Sequence, residues 1–252
     1  MSFNLIAAID IKNGECVRLR QGEAEQVTVY SDNVLQTAQK WIDNGTDRLH
    51  LVDLDGAFQG AQKNSKNIKN VLEHCGKKVP IQVGGGVRSM KTVDELVSQG
   101  ASFVVIGTAA IENPEFVKEA CRSFEGRIIV SMDARNGKVA TRGWKNNSNQ
   151  TMTEAVKRIE DYGVSSILYT DISRDGMQVG INLESTLALA SITKIPVIAS
   201  GGLSSENEIF ELSENFSKGI QGVILGKALY EGKIRLSNVS KKLQRLRGPN
   251  VN

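Results

Sequence analysis

Two aspartates of the 252-residue chain stand in matching surroundings: AAIDIKNGECVRLR at 7–20 overlays VSMDARNGKVATRG at 130–143, aligning Asp10 with Asp133 and Gly14 with Gly137. Each aspartate closes a short apolar run. Carboxylates on opposite sides of a substrate can act on different atoms, one donating a proton while the other withdraws one, if their environments separate their pKa values. A single Asp at a strand end is as often a turn former. The duplicated pair favours function.

Glycine-rich turns repeat in the same way. IQVGGGVRS at 81–89 overlays VIASGGLSS at 197–205, and FVVIGTA at 103–109 overlays GVILGKA at 222–228. The clusters are Gly84, Gly85 and Gly86 with Gly107 and Thr108 on one side, and Gly201 and Gly202 with Gly226 and Lys227 on the other. Backbone N–H groups at such turns and at helix starts surround anions, so the expected ligand is a small molecule with a phosphate at each end. Any one glycine could merely permit a tight turn, but paired clusters at matching places are harder to dismiss. Neither contains G-x-G-x-x-G, which argues against a dinucleotide. The segment Lys227 to Tyr230 reads as a single-turn helix aimed at a phosphate.

Other candidates rank lower. Thr170, Asp175 and Gly176 follow the sixth apolar run and can contact a substrate, although Arg174-Asp175-Gly176 equally reads as an exposed turn. Asp53 is expected to orient neighbouring loops. Arg18, Arg142 and Trp144 lie in glycine-initiated excursions long enough to fold over a ligand; Trp144 can stack on a heteroaromatic ring or pack its loop onto the rim. His50, inside a strand, reads as a satisfied core residue rather than a base.

Eight apolar runs must position these groups: 4–9, 48–52, 79–83, 102–106, 127–132, 164–169, 195–199 and 221–225. Stretches of helical period lie between them, as in Val34, Leu35, Ala38, Trp41 and Ile42, in Met90, Val93, Leu96 and Val97, in Met152, Ala155, Val156 and Ile159, and in Leu236, Val239, Leu243 and Leu246. Ser89 and Ser204 read as N-caps, and Pro114 suits a first helical turn. Strands without clean alternation, separated by amphipathic helices, predict a parallel α/β sheet. LVDLDG at 51–56 lies opposite YTDISRDG at 169–176, so both halves carry four βα units in the same order. The expected fold is therefore a (β/α)8 TIM barrel built from two duplicated half-barrels, a single domain over 1–252 in which strands 1 and 5, 3 and 7, and 4 and 8 face one another. An open doubly wound sheet ranks second.

Composition narrows the function. A net charge of +3 offers no footprint for nucleic acid, and the late basic residues Lys241, Lys242, Arg245 and Arg247 complement a final helix. Cys16, Cys75 and Cys121 are odd in number and far apart, which suits a reduced, cytoplasmic setting rather than disulfides or zinc. Two histidines are too few for a three-histidine metal site, so metal catalysis is not expected. The apolar run 5–9 is too short for a leader or membrane anchor. A monomer is expected.

At the residues that carry this chemistry the chain resembles the barrel enzymes of histidine biosynthesis, on their isomerase branch. The motifs are AID-x-x-x-G-x-x-VRL-x-QG at 8–22, LHLVDLDGA at 49–57, IQVGGGVRS at 81–89, IGTAA at 106–110, SMDARNGKVATRGW at 131–144, TDISRDG at 170–176, SGGLSS at 200–205 and GKALYEGK at 226–233. The resemblance implies a (β/α)8 barrel and an Amadori rearrangement, without metal or cofactor, of an aminoaldose bearing two phosphates. It implies that Asp10 is the general base at the second sugar carbon and that Asp133 is the general acid that opens the furanose. Thr170 and Asp175 are then supporting polar groups, and Arg18, Arg142 and Trp144 are loop residues that close on substrate. Ala8 stands where proline is usual, and Met177 where threonine often follows Asp-Gly. The sister cyclase of the same barrel type typically has Cys-Leu-Asp and then lysine where this chain has Ala8-Ile9-Asp10 and Arg18. A barrel that binds a bisphosphate without turnover is the remaining alternative.

Overall fold

The computed structural model describes residues 2–21, 23–135, 138–141, 144 and 146–246; Gly137, Arg142, Gly143 and Arg247 lie outside them. The first half of the chain runs β1 (Asn4–Lys12), β2 (Glu15–Arg20), β3 (Glu23–Ser31), α1 (Val34–Asp43), β4 (Arg48–Asp53), α2 (Leu54–Gln59), α3 (Ser65–Cys75), β5 (Ile81–Gly84), α4 (Met90–Ser98), β6 (Phe103–Ile106), α5 (Thr108–Glu112) and α6 (Pro114–Ser123). The second runs β7 (Ile128–Arg135), β8 (Lys138–Thr141), β9 (Asn146–Thr151), α7 (Met152–Ile159), β10 (Ser166–Asp171), α8 (Leu183–Ser191), β11 (Val197–Ser200), α9 (Glu206–Glu214), β12 (Ile220–Leu225), α10 (Lys227–Tyr230) and α11 (Leu236–Leu246).

Parallel pairing passes from β1 through β4, β5, β6, β7, β10, β11 and β12 and returns to β1. The ring is a closed (β/α)8 barrel, and all eight apolar runs of the sequence supply its strands. On this circuit β1 lies opposite β7, β5 opposite β11 and β6 opposite β12, as the internal repeat predicts.

The two-residue period of a strand decides which side chains reach the mouth. In β1, Leu5, Ala7, Ile9 and Ile11 pack outward in the core shared with the helices, while Ile6 and Ala8 join the cluster inside the barrel. Asp10 is in phase with Ile6 and Ala8, so it emerges inside the barrel at its open end. In β7 the inward series runs from Ile129 through Ser131 to Asp133, and in β10 from Leu168 to Thr170. The inner core contains Val105, Ile129, Leu168, Ile198 and Ile224, an apolar floor beneath the polar mouth.

Helix starts follow local chemistry. Asn33 accepts from the Gln36 N–H, Ser89 from the Thr92 N–H, and Asn113 caps the helix whose first turn holds Pro114. The cap of α9 is Ser205 rather than the expected Ser204. Ser205 forms a capping box with Glu208, whereas Ser204 stands one residue outside and bonds the same carboxylate. The apolar stripe of α11 stops at Leu243, since Leu246 is 69% exposed.

The excursions after β1 and β7 are antiparallel hairpins. β2 returns along β1, pairing Val17 with Asp10, and β3 pairs with β2; β8 returns along β7 and β9 pairs with β8. The sequence hides them because NNSNQT of β9 has no apolar residue and EAEQVTVYS of β3 opens on a polar run, so neither carries a buried-face period.

Candidate active site

The open end of the barrel surrounds a cavity of about 230 Å³ lined by residues from both halves. Asp10 enters it from β1. Its Oδ2 accepts from Nη1 of Arg18 at 2.7 Å, and the second terminal nitrogen of Arg18 donates to the Ala8 carbonyl. Arg18 thus sits on a strand rather than in a loop, directly beside Asp10 because β2 folds back on β1. Tyr230 fixes the guanidinium from a third direction: its ring centroid is 4.9 Å from Arg18 Cζ, and its hydroxyl donates to the same Ala8 carbonyl at 3.1 Å. Burial pushes the Tyr230 phenol up to about 12, so it remains a donor.

Asp133 enters from β7, and its donors among the described residues are uncharged. Ser131 Oγ donates to Oδ1 at 3.0 Å and Trp144 Nε1 to Oδ2 at 2.7 Å. Burial raises the Asp133 pKa, opposed by the bonds from Trp144, Thr170 and Ser131. Trp144 therefore reaches the cavity with its indole N–H tied to a carboxylate, its backbone held at φ 68°.

Asp175 belongs to the turn after β10. Its carbonyl accepts from Gln21 N–H at 3.1 Å, which binds this turn to the hairpin after β1. Burial pushes its carboxyl up to about 7, reinforced by the charge of Asp10 and, less, of Asp133; Arg18 and the Gly176 N–H oppose the rise. The residue read from the sequence as a supporting group or an exposed turn is a cavity-lining carboxyl that holds a proton close to neutrality.

On one wall Gly85, Gly86, Arg88, Gly107 and Thr108 line the cavity; on the opposite wall Gly201, Gly202, Gly226 and Lys227 do. Gly85 has φ 90° and Gly201 φ 89°, and a Cβ at either would collide with a backbone oxygen, that of Asp53 or Asp171. Only glycine brings these turns so close to the preceding strand end. Gly107 and Gly226 open α5 and α10, whose first N–H groups have no acceptor within their own helix. Among the described residues Arg88 adds a cation to the first wall and Lys227 to the second, where Lys227 Nζ also donates to the Gly176 carbonyl at 3.1 Å.

The structure brings together Asp10, Arg18, Asp133, Trp144, Thr170, Asp175, Gly176 and both glycine clusters, while Arg142 lies outside the described residues. Asp53 is buried and orients loops, accepting from the backbone of Gly56, Lys63 and Asn64 and from the Asn64 amide. Sequence reasoning passed over Arg88, Tyr230 and the cavity face of His50. Arg88 was visible as the cation next to a glycine turn, whereas Tyr230 reaches Arg18 only because α10 folds over the end of β1.

The chain is thus a closed (β/α)8 barrel with glycine-lined walls facing one another and carboxyls between them. The family model described as histidine biosynthesis protein matches residues 4–235, and the chain belongs to that family. It is 48% identical over 244 residues, 97% of each chain, to proteins of Burkholderia vietnamiensis and Burkholderia cenocepacia named 1-(5-phosphoribosyl)-5-((5-phosphoribosylamino)methylideneamino) imidazole-4-carboxamide isomerase. A Burkholderia mallei protein of the same name is also 48% identical over 97% of each chain.

Proposed function

We propose that this chain is an aldose–ketose isomerase of histidine biosynthesis, converting the bisphosphorylated aminoaldose ProFAR to the aminoketose PRFAR by an Amadori rearrangement. The observation that carries this reading is the placing of differently equipped carboxyls between two phosphate-sized walls. Each wall anchors one phosphate, which holds the sugar across the mouth and turns proton transfer into an intramolecular event.

Asp10, held by Arg18, is the base. Asp175 is a better general acid than Asp133. Both oxygens of Asp133 already accept hydrogen bonds, whereas Asp175 faces two other carboxylates and keeps a proton near neutrality. Asp175 protonates the furanose oxygen as its bond to the first carbon breaks, leaving an iminium. Asp10 removes the proton from the second carbon, giving an enaminol. Return of that proton to the first carbon, and transfer of the second-carbon hydroxyl proton to Asp175, yields the aminoketose and restores both groups. Asp133 fixes Trp144 and Thr170 beside the sugar.

Purified protein incubated with ProFAR in the presence of a chelator is expected to form PRFAR. Binding without conversion would replace this reading by a non-catalytic barrel, and ammonia-dependent formation of an imidazole product from PRFAR would replace it by the cyclase. A parallel assay with phosphoribosylanthranilate measures whether the site accepts a second aminoaldose.

A further inference from the structure

A chain of polar side chains runs through the barrel interior beneath the mouth. It begins at Arg48, near the closed end, and runs through Gln82 of β5 to His50, which lines the cavity. All three are buried, at 7%, 0% and 7% exposure. Their direction follows from strand period: Leu49 and Leu51 face the helices, so Arg48 and His50 face inward, as does Gln82 between Ile81 and Val83.

The donor and acceptor order in this chain has one solution. Arg48 has only donors, so the Gln82 atom 3.2 Å from Arg48 Nη1 is the amide oxygen. The amide nitrogen of Gln82 then faces His50 Nδ1 at 3.0 Å, and because that nitrogen only donates, Nδ1 must offer its lone pair. Arg48 is itself fixed by the Phe103 ring, 4.2 Å from its Cζ. We propose that His50 is held as an uncharged imidazole with its proton on Nε2, presented to the cavity as a permanent hydrogen-bond donor, and that Gln82 and Arg48 are the positioning residues that set this tautomer.

The surrounding charges favour the same state. The charged groups facing His50 are Arg48, two residues earlier on its own strand, and Arg18 of β2, the latter engaged with Asp10. Burial first, and then these two cations, push the His50 pKa down to about 3. An uncharged donor suits an oxygen that gains negative charge transiently, because it stabilises that charge without forming an ion pair with the resting substrate. The identity of that oxygen as one on the rearranging sugar rests on the isomerase reading; the tautomer does not.

The test separates the two. The chain has two histidines, His50 and His74, so ring nitrogen spectra are assignable by comparison with His74→Gln. Long-range 15N–1H NMR of the intact protein is expected to show His50 protonated at Nε2 and bare at Nδ1, unchanged between about pH 5 and 8. A proton on Nδ1, or titration in that interval, would overturn the proposal whatever the enzyme's activity. In Gln82→Glu a carboxylate replaces the donor amide, so His50 is expected to acquire a proton on Nδ1 and to titrate near neutrality. The kcat for ProFAR is then expected to fall about tenfold, the loss associated with one hydrogen bond. Unchanged His50 signals in Gln82→Glu would also overturn the relay. A moved tautomer with unchanged kcat would overturn the donor role in this reaction.

Discussion

At the end of β4, Asp53 accepts from the side-chain amide of Asn64 at 2.7 Å; at the end of β10, Asp171 accepts from that of Asn182, also at 2.7 Å. Asn64 and Asn182 stand at the N-terminal boundaries of α3 and α8, and behind each Asp a glycine with φ near 90° packs on its backbone. The two halves thus hold their loops with the same device, yet they are armed differently. Asp10 receives a guanidinium, whereas its counterpart Asp133 receives a hydroxyl and an indole N–H. Lys227 stands where the other half has Thr108, and Arg88 where the other has Ser204. After β4 the chain forms α2; after β10 the corresponding stretch is a turn that carries Asp175 into the cavity. Backbone geometry tolerates duplication because it depends on turn glycines and local bonds. The chemistry diverges because a single side chain changes which charge state a neighbour prefers.

The sharpest way to break this comparison is to remove the carboxylates one at a time. Asp10→Asn and Asp175→Asn are each expected to lower kcat by about a thousandfold or more with substrate still bound, and Asp133→Asn by roughly ten- to a hundredfold, in steady-state assays. A loss at Asp133 equal to that at Asp175 would return the acid role to Asp133. Removing one cation from each wall comes next. Lys227→Met and Arg88→Met are each expected to raise KM about ten- to a hundredfold while changing kcat much less, because each weakens the hold on one phosphate. A change in only one variant would show that the walls do not share the anchoring.

The smallest effect concerns stability. The folded state raises the Asp175 carboxyl to about 7, so its favourable contribution is complete below the unfolded value near 4 and is lost as pH rises through about 7. Asp175→Asn is therefore expected to melt above the wild type at about pH 8 and level with it at about pH 4, by calorimetry. The reverse order at the higher pH would mean that Asp175 is ionised and well solvated in the native mouth.

Most of the barrel was legible because eight buried runs, their order and the repeat are properties of neighbouring residues. The opposed Asp10 and Asp133, and the facing glycine pairs, followed from that repeat once closure was assumed. The hairpins escaped because polar strands such as 146–151 are held by pairing with β8 and carry no period of their own. Asp175 was undervalued because what raises its proton affinity, burial in the mouth and then the charges of Asp10 on β1 and Asp133 on β7, exists only in the closed barrel. His50 was rightly read as buried, but its cavity face depends on the inward parity of β4.

Local rules acting along the chain thus determined the strands, the helix caps, the turns that only glycine can make and the alternation that aims Asp10 and Asp133 inward. Tertiary structure decided what those groups are as chemicals. Whether a carboxyl holds a proton, or on which nitrogen an imidazole carries one, depends on desolvation and on donors and charges within a few ångströms. In this chain several of those arrive from strands more than thirty residues away, as Gln82 reaches His50 and Thr170 reaches Asp133.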